Sequence, residues 1–150
     1  MKQIGLCGAL LLTAASSAVS AEGMINVASD FNVEETSNRL ETILNNKGMT
    51  VFNRIKHSEA AAKIGVELRG TELVLFGNPK VGSPLMKCQQ SIAIDLPQKA
   101  LVWQDAEGKV WISYNDPSYL QQRHAVSGCE PVFEKVSKAL AGITSAAASR

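Results

Sequence analysis

LVLFGNPKVGSPLMKCQQSIAIDLPQKALVWQDAEGKVWISYNDPSYLQQRH, residues 73–124, decides the fold. It opens on an apolar run, Leu73-Val74-Leu75-Phe76, that reads as a strand inside a sheet and continues into the loop Gly77-Asn78-Pro79-Lys80-Val81-Gly82. Ser83-Pro84 and Asp116-Pro117 then read as the starts of two helices. In each pair a short polar side chain accepts the free amide hydrogens of the first turn, and the proline behind it already holds helical φ where no N–H is needed. Between them Asp95-Leu96-Pro97 breaks the first helix, and two strands, 100–103 and 110–114, flank the turn Asp105-Ala106-Glu107-Gly108. That is a β-hairpin with glycine last in the turn, placing Val110, Ile112 and Tyr114 on one face and Trp111 and Ser113 on the other.

Working outward, residues 24–31 read as a first strand. Asn32 caps a helix with Glu35 three residues on and Val33, Thr36, Leu40, Ile43 and Leu44 on one side, and Gly48 ends it. Alternation over 49–56 predicts a second strand with Met49, Val51 and Ile55 opposite Thr50, Arg54 and Lys56. A short Ala-rich helical turn closed by Gly65 follows, and the third strand is expected to take in Val66 and Leu68 before Leu73. Ser127 and Glu130 resemble a capping box ahead of a final helix striped by Val132, Val136, Leu140 and Ile143, with a small, polar tail from Thr144 that frays. The fold class is α+β: one compact domain of two strand–helix–strand halves with a central β-hairpin and a C-terminal helix, its ordered core at about residues 24–143.

Composition narrows the function. The chain has 150 residues, 15 Lys+Arg against 14 Asp+Glu, and no block of five like charges. Nucleic acid and an anionic membrane surface therefore have no electrostatic footprint. Met1-Lys2, the apolar run 4–15 and Val19-Ser20-Ala21 have the layout of a secretory signal peptide, residues 1–21, cut after Ala21 to leave a domain at residues 22–150. Export to the periplasm or beyond is the expectation, with no later segment apolar enough to span a membrane. Cys88 and Cys129 then stand in an oxidising compartment and are expected to pair as a structural disulfide rather than act as a redox pair.

Phe76-Gly77-Asn78-Pro79, Asp95-Leu96-Pro97, and Tyr114-Asn115-Asp116-Pro117 followed by Tyr119-Leu120 and Arg123-His124 together resemble the domain-of-unknown-function family 302 (DUF302). The resemblance spans nearly the whole of residues 22–150 and implies a compact α+β domain that forms a homodimer, with no established reaction. Trp103 or Trp111 is expected near the contact between subunits.

Chemistry-bearing residues are few. Asn78, Tyr114, Asn115, Arg123 and His124 are the candidate ligand-binding set, on the expectation that the loops after two strands open on the same edge and surround one pocket. No Cys-x-x-Cys, His-Glu-x-x-His, Cys-x-x-Cys-His, Gly-x-Ser-x-Gly or Walker sequence occurs, so neither metal nor cofactor is expected. An anion at the glycine-bearing loop 77–83 is the weaker reading of what is otherwise a structural turn. The function expected is an exported, homodimeric domain that binds a small ligand or a partner. Two alternatives stand beside it: a small periplasmic enzyme using His124 with Tyr114 or Arg123, and a structural or stress-related envelope protein without ligand.

Overall fold

A computed structural model describes residues 21–150; the expected signal peptide falls almost wholly on residues 1–20, outside the described part. Elements follow in the order β1 (Met24–Ser29), α1 (Val33–Asn46), β2 (Thr50–Lys56), α2 (His57–Ala62), β3 (Thr71–Gly77), α3 (Pro79–Cys88), a 3-10 helix (Gln90–Asp95), β4 (Gln98–Gln104), β5 (Val110–Asn115), α4 (Pro117–Arg123) and α5 (Glu130–Ala148). The strands form one antiparallel sheet in the order β1-β5-β4-β3-β2. Both strand–helix–strand halves are present, but the first spans the sheet: β1 and β2 lie at opposite edges, with α1 crossing between them.

One face of the sheet is covered. Val74 and Phe76 of β3, Ala100 and Val102 of β4, and Ile112 and Tyr114 of β5 point toward α1 and α5 and are buried. Leu40 and Leu44 of α1 and Val136, Leu140 and Ile143 of α5 complete that core. The interior strand β3 therefore alternates strictly, with Leu73 and Leu75 half-buried on the other side, where the sequence run suggested burial on both faces. Val66 and Leu68 are exposed and lie outside the strand.

A bulge explains a second difference. Val51 pairs with Phe76, but beyond a register shift Arg54 pairs with Val74 and Ile55 with Leu73. One extra residue reverses the facing of everything after it, so Arg54 joins Val51 on the helix side. There it meets the Glu72 carboxylate at 2.7 Å and the Asn38 side chain at 2.6 Å. Glu72 is only 6 % exposed, and a buried carboxylate requires such a partner.

Three helix boundaries also move. The first cap of the decisive stretch is Asn78 rather than Ser83: its side chain accepts from the Lys80 amide at 2.9 Å, Pro79 takes the first helical position, and Pro84 lies inside α3. Of the expected loop 77–82, residues 79–82 are thus the first turn of a helix, with Gly77 ending β3 and Asn78 as the cap. The capping box at the last helix is not formed; Cys129 is the N-cap without a side-chain bond, and the Glu130 carboxylate accepts from the Gly128 amide. Finally, α5 continues to Ala148 with Ala147 and Ala148 buried. The Arg39 side chain donates to the carbonyls of Ala147, Ala146 and Ser149 at 2.9, 3.1 and 2.6 Å, so the unpaired carbonyls of the last turn find a cation, as a helix C-terminus favours.

Candidate functional site

Because β3 and β5 both run antiparallel to β4, residues 76–79, 95–97 and 114–117 reach one end of the sheet. The Asn78 cap starts α3 there. The Asp116 side chain, accepting from the Ser118 amide at 2.8 Å, starts α4. Between them the 3-10 helix delivers the chain through Asp95 and the cis Leu96–Pro97 peptide into β4.

A cavity of about 520 Å³ opens at this end. Val81, Leu85 and Met86 of α3 form one wall, Leu96 and Pro97 a second, and Met49 and Phe52 of the β2 segment a third. Phe52 sits in the bulge and is 56 % exposed. Among the described residues, the polar side chains lining the cavity are Asn78, Ser83 and Gln98, and no charged side chain is in the lining. Asn78 is already engaged, accepting from Lys80 and donating from Nδ2 to the Gly48 carbonyl at 3.2 Å. The volume lies in the range of small-molecule pockets, roughly 300–1,000 Å³. An ionised ligand would meet no counter-charge among the described lining residues, so the lining suits an uncharged, apolar molecule better than an ion.

On α4's side of the 3-10 helix lies a polar cluster. The His124 Nε2 is 2.6 Å from Asp95 Oδ2, and Arg123 donates to Oδ1 of the same carboxylate at 3.2 Å. Both the His124 and Asp95 side chains are largely buried, whereas Arg123 is half exposed. The exposed Ser91 hydroxyl lies 3.0 Å from His124 Nδ1. Lys99 adds a donor to the Asp95 backbone carbonyl at 3.1 Å. The cluster ties the 3-10 helix to α4, and the Cys88–Cys129 disulfide, with Cα atoms 6.5 Å apart, ties the end of α3 to the start of α5. The two cavity walls are thereby anchored to the same helical layer at two points.

The five candidate residues separate accordingly. Asn78 lines the cavity; Arg123 and His124 converge on Asp95; none of Tyr114, Asn115, Arg123 and His124 is in the cavity lining. Tyr114 belongs to the core face of β5. Burial pushes its phenol above the ordinary range, against a smaller opposing influence from the Thr144 hydroxyl, so it stays protonated at neutral pH. Asn115 ends β5 opposite Met24. His57 begins α2 at the other end of the sheet, beyond Lys56, which pairs with Glu72. Sequence reading missed Asp95 and Ser91 as partners of His124. Asp95 was visible as a helix-breaking residue, but its link to His124 spans 29 residues and carries no local periodicity. Among the described residues no group of three or more His, Cys, Asp or Glu is placed to hold a metal ion.

A one-sided antiparallel sheet packed on two long helices, with an apolar cavity at one end, defines an α+β domain built around a pocket. Over residues 25–143 the chain matches the family described as domain of unknown function DUF302, and it belongs to that family. The crystal structure of an uncharacterized conserved DUF302 protein from Bacillus stearothermophilus has the same fold, with a TM-score of 0.76 over 85 % of this chain and 99 % of that one at 20 % identity. Two curated relatives are named fluoride-specific ion channel FluC 1, from Brucella suis and Brucella abortus. Each is 43 % identical over 104 residues, 69 % of this chain. The match spans only 41 % and 38 % of their lengths. No helix among the described residues is long and apolar enough to cross a membrane.

Proposed function

We propose that this domain is an exported binding protein for a small, uncharged, largely apolar molecule held in the cavity between α3, the 3-10 helix and the β2 bulge. The observation that carries this reading is the combination of volume and lining: about 520 Å³ with no charged side chain among the described lining residues. Fluoride conduction, named for the Brucella proteins, is assigned on this reading to the parts of their chains outside the match. An anion would meet no cation among the described residues that line this cavity. Mass spectrometry of organic extracts from natively purified protein is expected to find a neutral compound that is absent from the Gly82→Leu variant, whose new side chain points toward Leu96 in the cavity wall. An extract whose only bound species is anionic, or identical extracts from both proteins, would overturn the reading.

The working unit proposed is a homodimer joined through the sheet face turned away from α1 and α5. Leu73, Leu75 and Leu101 lie half-buried there beside the paired Trp103 and Trp111. Both indole N–H groups are already bonded inside the subunit, to Ser113 and Asp105 at 2.8 and 2.7 Å, which leaves apolar ring surface for a contact. Light scattering at micromolar concentration should return twice the mass of the exported chain; the mass of one chain would refute this.

A further inference from the structure

We infer that Ser91, His124 and Asp95 form a nucleophilic centre that cleaves carboxylic esters. The 2.6 Å contact between His124 Nε2 and the Asp95 carboxylate requires the ring proton on Nε2. In the neutral ring, the lone pair of Nδ1 then faces the Ser91 hydroxyl at 3.0 Å. A base aimed at a hydroxyl and oriented from behind by a buried carboxylate is the arrangement that activates serine. The ring nitrogens exchange the positions they hold in the best-known serine hydrolases, but the relay needs only one nitrogen facing each partner. Ser91 is exposed while its two supports are largely buried, so the reactive oxygen alone is open to a substrate.

The surroundings indicate the substrate class. Ile94, 74 % exposed on the same 3-10 helix, offers an apolar contact for a short acyl chain. Arg123 donates to the other oxygen of Asp95 at 3.2 Å, which holds the carboxylate in place behind His124. Lys99 lies behind the cluster on the Asp95 backbone carbonyl. In the first half-reaction Ser91 Oγ bonds to the acyl carbon and its proton passes to His124 Nδ1. The acyl carbon–oxygen bond of the ester breaks, and the departing alkoxide takes that proton as an alcohol. In the second, water gives a proton to His124, attacks the acyl-serine, and the acid leaves as Ser91 recovers its hydrogen. Ester and water are the only reactants.

This inference does not rest on occupancy of the cavity, and its test uses reagents that need none. The folded, disulfide-intact protein is treated with an alkyl fluorophosphonate, and separately with p-nitrophenyl acetate. The expected results are one phosphonyl adduct per chain on the Ser91 peptide, none on denatured protein, and acetate turnover that falls at least about 100-fold in Ser91→Ala, within the usual contribution of an activated base and nucleophile. Ser91 is exposed, so that variant keeps the fold, which circular dichroism confirms. Asp95→Asn should lower kcat and change its pH profile while leaving KM near its original value, a split that loss of packing alone would not produce. No adduct, an adduct on another residue, or turnover unchanged in Ser91→Ala would overturn the assignment.

Discussion

Replacing both Cys88 and Cys129 with serine, or reducing the bond, lowers the unfolding free energy by about 4 kcal/mol, the chain-entropy value for a loop of this size. The two residues are 41 apart in sequence, so the unfolded chain loses a large loop's freedom when they are joined. Small domains have only about 5–15 kcal/mol of stability, which makes this a major fraction. Urea unfolding with and without reductant measures it, as a lower midpoint. The bond also fixes the last residue of α3 against the start of α5, so binding in the proposed cavity should weaken together with stability. An unchanged midpoint after full reduction would show that the loop is already restricted in the unfolded state.

The second large effect is Phe76→Ala, expected to cost about 3–5 kcal/mol. Phe76 is wholly buried on β3, between Val51 of β2 and Gln98 of β4 in register. Thermal unfolding of the variant reads the loss as a lower Tm; a cost under about 1 kcal/mol would contradict the placement of the core on that face.

Local signals account for what the sequence disclosed. The β4–β5 hairpin is set by its turn: Asp105 Oδ1 accepts from the amides of Glu107 and Lys109 at 3.0 and 2.8 Å, and Gly108 takes φ +84°. Asn32 and Asp116 cap α1 and α4 as read. The first cap of the decisive stretch was ambiguous because Asn78-Pro79 and Ser83-Pro84 carry the same chemistry five residues apart; only the strand's end at Gly77 decides between them. The β2 bulge had no glycine or proline to announce it, so the facing of Arg54 was hidden. The tail read as frayed because its stabilising partner, Arg39, is 108 residues away from Ala147. The same limit concealed the site: Ser91 and Asp95 gain meaning only when α4 folds back to place His124 beside them.

The proposed selection of uncharged molecules by the apolar cavity is read out by fluorescence titration with the neutral probe N-phenyl-1-naphthylamine, comparing the native protein with Gly82→Leu. A Cβ at Gly82 lies 3.8 Å from Leu96 Cδ1, so leucine fills the cavity from within α3 while removing a helix-destabilising glycine, worth about 1 kcal/mol. Saturable binding at one probe per chain in the native protein, weakened at least about tenfold (1.4 kcal/mol) in a variant of equal or higher Tm, is the predicted result. Equal binding by both proteins, or no saturable binding by the native one, would rule out a ligand in this cavity.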